Sequence, residues 1–483
     1  MNGYINEKAH LYREFLRGKN AVVIGAGISN IPLIRFLLGC GANVNVRDKK
    51  TREVLLETLD VAGLENEGVT FVLGDGYLRD IDADIVYKTP GVRYDHSEIL
   101  EAYDCGAYIT GEMEAFISLC PAKIIAITGS NGKTTTSTLC AKLLEEAGHR
   151  VFLGGNIGKP LLSEIDNMTP DDFAVLELSS FQLHTINRFE NAGLPFAHIN
   201  FPNSAIITNV SPNHLDWHTS MEEYAEAKRA VFDFMPEDGR FVTNADCAIT
   251  AEFAKYAEDR ELETVLVSRK DNEAGIFYRD GDIFRKIGNK EIKLLSAEDI
   301  LIPGLFNVEN YMMAYAAVEP YVSPEVLERV AKSFVGVPYR LELCAEKNGV
   351  KYYDSSIDSS PSRTEATLSA FPESMKKKVN IILGGYDKKI PFDTLGAPLC
   401  DTVCRAFICG DTAKKIEDAI KSAANYSPDT TEIVMCDSFD EAVKCACEAA
   451  KEGEIVLLSP ACASFDAFRN FEERGKRFKE LVK

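Results

Sequence analysis

The stretch Ile124-Ile125-Ala126-Ile127-Thr128-Gly129-Ser130-Asn131-Gly132-Lys133-Thr134-Thr135-Thr136 decides how this chain is read. An apolar run enters a glycine turn, and a helix begins after it. Backbone N–H groups at a helix start point outward, and the helix dipole adds partial positive charge, so such a turn cradles phosphate. Gly129 and Gly132 let the backbone approach phosphate oxygens without a Cβ in the way. Lys133 can reach the terminal phosphates, and the Thr134 hydroxyl can hold Mg2+. The full pattern G-x-x-x-x-G-K-[ST] would put its first glycine at Ile127, so the loop is a shortened form. The context supports it: Leu139, Leu143 and Leu144 repeat at helical spacing until Gly148. A nucleoside triphosphate is therefore expected at Gly129, Ser130, Asn131, Gly132, Lys133, Thr134 and Thr135.

Composition narrows the class. The 483 residues suffice for about three domains of ordinary size. A hydrophobic share of 46% and a charged share of 26% suit a globular protein in water. No apolar run approaches the roughly 20 residues of a membrane helix. The start, Met1-Asn2-Gly3-Tyr4-Ile5-Asn6, lacks a charged-then-apolar signal pattern. A cytoplasmic monomer without a membrane partner is the expectation. The net charge of −21 repels nucleic-acid backbones, so no nucleic-acid partner is expected. The 13 cysteines are scattered, and Cys400/Cys404 and Cys445/Cys447 lack zinc-type spacing. They read as reduced, mostly buried thiols.

The chain organises as three α/β layers in series. In the first, to about Gly111, Lys19–Gly27 is a strand running into a glycine turn. A helical pattern through Leu33, Phe36 and Leu37 follows, and a second strand ends at Asp48. That is a βαβ unit, but Asn30 replaces the third glycine of G-x-G-x-x-G, which argues against a dinucleotide oxidoreductase. Thr89-Pro90-Gly91 reads as a turn at a strand end. The second layer runs to about Val337, with apolar strands at Phe173–Leu178 and Ser204–Val210 and small antiparallel additions near 238–300. The third, from Pro338, has strands at Val350–Tyr353, Val379–Leu383, Ala406–Cys409 and Ile455–Leu458. The expected domains are 1–111, 112–337 and 338–483: Rossmann-like, P-loop ATPase-like and Rossmann-like.

Within this frame Glu177 ends an apolar strand, where P-loop enzymes carry an acidic metal or water contact. His214 lies on the loop after the strand ending at Val210. Lys228 taken alone reads as a solvated lysine on a helix.

Ala126–Thr135, then Gly155-Asn156-Ile157-Gly158, Glu177-Leu178-Ser179-Ser180-Phe181-Gln182 and Asn209–Asp216 stand in the order of the Mur ligases. The chain resembles these ATP-dependent amide-forming enzymes of peptidoglycan precursor synthesis over nearly its whole length. Leu458–Asp466 and Asn470–Gly475 resemble the branch of that family that adds D-glutamate to UDP-N-acetylmuramoyl-L-alanine. The resemblance implies an acyl-phosphate route with ATP and Mg2+, two ions in number. It implies catalytic roles for Lys133, Glu177, His214 and Lys228, with Thr134, Glu177, His214 and a carbamylated Lys228 around the metal. It implies further ATP contacts at Asn307, Arg340 and Asp354. Gly27, Ile28, Ser29, Asp48, Lys49, Thr89, Gly91, Asn156 and Ser180 match the UDP-substrate positions. Lys388, Ser464, Phe465 and Phe471 match the D-glutamate positions.

Three features depart from the family pattern. Tyr339-Arg340 stands where His-Arg is common, and Asn191–Asn203 is longer than the usual link. Asp354-Ser355-Ser356-Ile357-Asp358 replaces Asp-Ser-Lys-Ala-Thr, which removes a lysine at Ser356. Lys388, Lys389 and Arg363 are the candidates to compensate. The Asp-Asn-Pro-Arg motif of the diaminopimelate- or lysine-adding relatives is absent from the sequence. The alternatives are another ligase of the superfamily, of the folylpolyglutamate synthase type, and a nucleotide-regulated binding module.

Overall fold

The computed structural model describes residues 4–27, 30–186, 201–215 and 217–483. Ile28, Ser29, Asp216 and most of the Asn191–Asn203 link lie outside the described residues. The chain divides into two compact units, Met1–Leu294 with Asn310–Leu327, and Leu295–Glu309 with Glu328–Lys483.

The first unit holds two sheets. One contains β1 (Asn20–Ile24), β2 (Asn43–Asp48), β3 (Thr70–Leu73), β4 (Ile85–Lys88) and β5 (Tyr108–Thr110). Its order is β3-β2-β1-β4-β5, and every pairing is parallel. That is a doubly wound half-sheet whose order reverses between β1 and β4, where such folds bind ligands. Both faces are covered, and alternation assigns them. Val22, Ile24 and Val86 pack with Ile99 and Ile109, while Ala21, Val23, Val44 and Val46 pack with Leu33 and Leu37.

The other sheet contains β6 (Lys123–Thr128), β7 (Val151–Gly155), β8 (Phe173–Glu177), β9 (Ser204–Ile207), β10 (Arg240–Asn244) and β11 (Glu263–Ser268). It continues through β12 (Ile276–Arg279), β13 (Asp282–Ile287) and β14 (Lys290–Ser296). Its order is β14-β13-β12-β11-β10-β9-β6-β8-β7. Pairings from β7 to β12 are parallel, and β12 with β13 is antiparallel, in the region where the polar stretch predicts such an addition. One contiguous apolar core explains why the two sheets share a unit. It runs from Val23 and Leu37 through Phe116 and Leu119 of the helix Glu112–Leu119 to Ile124, Ala126 and Leu176.

The second unit holds β15 (Glu342–Lys347), β16 (Val350–Asp354), β17 (Val379–Gly384), β18 (Val403–Cys409), β19 (Glu432–Met435) and β20 (Ile455–Leu458). The order is β15-β16-β20-β17-β18-β19, parallel except for the antiparallel edge β15. Ile381 and Leu383 face one core, and Ile382, Val456 and Leu458 the other. All 13 cysteines are free. Five are buried and only Cys105 is exposed, so the thiols are less uniformly buried than composition suggests. Among the described residues no helix is long and apolar enough to cross a membrane.

Gly384 ends β17 with φ +110°, and a Cβ there would lie 1.8 Å from the Cys409 carbonyl oxygen. Gly384→Ala should therefore cost about 1–3 kcal/mol from backbone strain alone. The urea midpoint followed by circular dichroism reads this; an unchanged midpoint contradicts it.

Candidate active site

The phosphate loop leaves β6 and enters the helix Lys133–Glu146, whose N-cap is Gly132 in the left-handed region. Neighbouring strand ends hold it. Ser130 N donates to Asn209 O at 2.8 Å, and Asn131 N donates to Asn209 Oδ1 at 3.0 Å. Thr208 Oγ1 donates to Asn131 O at 2.6 Å. A Cβ on Gly129 would lie 1.9 Å from Thr208 Oγ1, so glycine is required there by contact as well as by φ +144°. Gly132 is bounded likewise, since a Cβ on it would lie 2.5 Å from Asn310 Oδ1. The Lys133 ammonium donates to the Gly129 and Ser130 carbonyls, at 2.9 and 3.1 Å, inside the loop it would share with phosphate. Thr134 and Thr135 are half-buried on the first turn.

Glu177 ends β8 beside this loop and is 1% exposed. Its Oε1 accepts from Asn156 Nδ2 at 3.0 Å, and its Oε2 is buried with no hydrogen-bond partner among the described residues. A buried carboxylate oxygen left unpaired is costly. A cation at that atom would relieve the cost, so Glu177 fits a metal site. Lys228, on the helix Met221–Asp233, is the larger surprise. It is 1% exposed, donates to Gly129 O at 2.8 Å and lies 4.5 Å from the Tyr224 ring centroid. Burial pushes its ammonium well below the ordinary lysine value. Lys133 adds to the fall and Glu177 opposes it. The solvated lysine that the helix position alone suggests is thus a buried amine under the phosphate loop.

His214 is exposed in the left-handed region at φ 54°, with its ring 4.9 Å from Phe181. Ser180 is buried and starts the helix Ser180–Ile186, and its hydroxyl lies 3.0 Å from His218 Nε2. In the first sheet Asp48 Oδ2 accepts from Ala26 N at 2.7 Å, and Oδ1 accepts from Lys50 N at 2.8 Å. The Asp48 carboxylate thus holds the Gly25–Gly27 turn. Asn30 does the work of the missing third glycine: its amide donates to the Gly25 and Ile24 carbonyls, at 2.7 and 3.3 Å, and closes the turn from inside. Gly27, Lys49 and Gly91 are exposed and Thr89 is half-buried, at strand ends on either side of the β1/β4 reversal.

In the second unit Asn307 is 5% exposed and donates to Pro303 O at 2.6 Å, and Arg340 is exposed. Asp354 ends β16 fully buried. Its Oδ1 accepts from Ser356 N at 2.8 Å, and Lys479 Nζ lies 3.4 Å from its Oδ2. Burial raises its carboxyl. Ser464 is 3% exposed, Phe465 is 62% exposed, and the Phe471 ring packs on Tyr339 at 5.9 Å. Lys388 is exposed and donates to Ser359 O at 3.4 Å. Arg363 donates to Ile357 O at 2.9 Å, so both cations reach the run that lacks a lysine. Ser356 is fully buried against Gly475, whose added Cβ would lie 2.6 Å from its hydroxyl.

Sequence reasoning missed Arg474 and Glu223. Buried Arg474 donates to the Ala463, Cys462 and Ser356 carbonyls and so fixes the loop after β20. Glu223 accepts from Arg93, His184 and Thr219. Each sits at an ordinary helix position, and only the Ser220/Glu223 capping-box spacing hinted at the second.

Three family models match the chain. A Mur ligase MurD-like N-terminal domain spans 19–111, a Mur ligase middle domain 127–318, and a Mur ligase glutamate ligase domain 339–462. The chain belongs to the Mur ligase family. It is 45% identical over 99% of both chains to the UDP-N-acetylmuramoylalanine–D-glutamate ligase of Acetivibrio thermocellus. It is 44% identical, again over 99% of both, to that of Ruminiclostridium cellulolyticum. Its fold is shared with a UDP-N-acetylmuramoyl-L-alanyl-D-glutamate–2,6-diaminopimelate ligase at TM-score 0.56 and 19% identity, covering 86% of each chain. A MurF ligase from Thermotoga maritima, solved with ADP, matches at TM-score 0.53 and 17% identity, over 97% of this chain and 95% of that one.

Lys133→Met removes the ammonium held by the Gly129 and Ser130 carbonyls, expected to face the ATP phosphates. A charge-assisted hydrogen bond contributes about 1.5–3 kcal/mol, so affinity for a non-hydrolysable ATP analogue should fall roughly ten- to hundred-fold. Calorimetric titration measures it; equal affinity would remove Lys133 from the nucleotide site.

Proposed function

We propose that the protein ligates D-glutamate to UDP-N-acetylmuramoyl-L-alanine at the expense of ATP. The carrying observation is the buried pair Glu177 and Lys228 at the phosphate loop, in a chain 45% identical end to end to a D-glutamate ligase. The acceptor carboxylate attacks the γ-phosphorus of ATP, giving an acyl phosphate and ADP. The amine of D-glutamate then attacks the acyl carbon, phosphate leaves with the C–O bonding pair, and the amine proton is lost. Positioning and charge neutralisation dominate such phosphoryl transfer. Lys133 and the N–H groups of Gly132–Thr135 cradle the phosphates. Mg2+ would be held by Thr134, Glu177, His214 and a carbamylated Lys228, and supplies neutralisation of the phosphate oxygens.

The depressed Lys228 amine favours that carbamate. A neutral amine has a free electron pair, so it adds to CO2 and releases one proton. The carbamate places a metal-orienting anion where the amine stood. Asn307, Arg340 and Asp354 are proposed for the nucleoside and phosphates. Gly27, Asp48, Lys49, Thr89, Gly91, Asn156 and Ser180 are proposed for the UDP substrate. Lys388, Ser464, Phe465 and Phe471, aided by Arg363, are proposed for D-glutamate. The working enzyme is taken as one cytoplasmic copy, with functional divisions near 111 and 337.

An amino-acid panel in a phosphate-release assay tests the reaction. Release should require both the UDP-sugar and D-glutamate. Turnover without any amino acid, or equal use of L-glutamate, overturns the assignment. Lys228→Ala should lose activity by about 100-fold or more, the scale of removing one electrostatic stabiliser. A short carboxylic acid should restore part of it, and 13C-bicarbonate should give a carbamate signal in the wild type only. Full activity in the variant refutes the carbamate.

A further inference from the structure

Outside the phosphate loop, a polar cluster in the first unit gathers on Glu223. Its Oε1 accepts from Arg93 Nη2 at 2.9 Å and from His184 Nε2 at 3.0 Å. Its Oε2 accepts from Thr219 N at 2.6 Å and Thr219 Oγ1 at 3.0 Å, and lies 3.8 Å from His218 Nδ1. Burial pushes the Glu223 carboxyl up, but hydrogen bonds from Arg93, Thr219 and His184 outweigh it and leave the group well below its ordinary value.

His184, His218 and Glu223 offer ligand atoms within 4.8 Å of one another, a spacing that suits a metal ion. Arg93 argues otherwise. Its guanidinium already supplies the cation at this carboxylate, and a second cation at the same site would be repelled. Arg93 also does more than balance charge. It follows the turn after β4, donates to Trp217 O at 2.9 Å, pairs with Asp95 and lies 4.9 Å from the Trp217 ring. Trp217 in turn donates from its indole Nε1 to Gly91 O at 3.0 Å. So the loop after β4 and the loop after β9 are bound together twice, once through Glu223 and once through Trp217.

The cluster also reaches the end of β8. Buried His218 has its Nδ1 3.8 Å from Glu223 Oε2 and its Nε2 3.0 Å from the Ser180 hydroxyl, and its backbone N–H donates to His214 O at 2.9 Å. Ser180 stands three residues after Glu177, and His218 four after His214.

We propose that Glu223 is a positioning residue that holds the post-β4 loop, the post-β9 loop and the Ser180 helix start in one register, so that a single extended substrate engages all three. The proposal rests on the reading that a UDP-linked carboxylate runs from the first sheet to the phosphate loop. A ligand that touches only the first sheet does not need the register; one that spans both does.

Calorimetry with UDP alone and with UDP-N-acetylmuramoyl-L-alanine separates the two cases, using the wild type, Glu223→Gln and Arg93→Lys. Both variants should weaken the full substrate about tenfold or more, as misplacement by about an ångström does. UDP alone should bind within about twofold of the wild type in each. Equal weakening of both ligands, or no weakening of the full substrate, overturns the proposal. A failure of the functional reading is distinguishable, because the wild type itself would then bind the muramoyl compound no more tightly than UDP.

Discussion

Parallel strands end at one edge of their sheet, and the chemistry of this protein depends on that constraint. Gly27, Asp48 and Thr89 lie at the carboxyl ends of β1, β2 and β4. The phosphate loop, Asn156, Glu177 and His214 follow β6, β7, β8 and β9. Asp354, Lys388 and Ser464 do the same for β16, β17 and β20. A crossover helix must return the chain to the opposite edge between strands, so each strand delivers one loop to the same side. Residues far apart in sequence thus become neighbours without any loop crossing the core.

That arrangement concentrates polar backbone and charge at the edge, and the structure manages them locally. Thr208 and Asn209 hold the phosphate loop from the adjacent strand end. Asn30 closes the first glycine turn from inside, and Arg474 ties three carbonyls around the loop after β20. Beside the phosphate loop a carboxylate oxygen is left over, the orphan Glu177 Oε2. An unpaired buried oxygen is rare in folded proteins because it is costly. Glu177 keeps it next to the phosphate loop and the buried Lys228 amine, which is why a cation at that atom is proposed.

Much of this was legible in the sequence, and the reason is local. Apolar runs of four to six residues that give way to small or polar loop residues encode a buried parallel strand and its loop, so β16, β17 and β20 fall close to their expected places. The polar stretch before residue 300 likewise shows its antiparallel strands through weak periodicity. Asn30 was legible only as a defect, since a side chain that substitutes for a glycine by hydrogen bonding has no pattern along the chain.

By itself the sequence determined the phosphate loop, the strand ends and the α/β class, because those depend on residues within about ten positions of one another. Tertiary structure decided the surroundings of Lys228: its place on a helix suggested solvent, and burial under the phosphate loop pushes its ammonium well below the ordinary lysine value. It also decided that Glu223 is a hub, since Arg93 lies 130 residues away and His184 lies 39. And it decided that Ser356 is packed against Gly475, while Lys388 and Arg363 reach the same loop from other segments. Electrostatics and packing act through space, and no spacing along a chain records them.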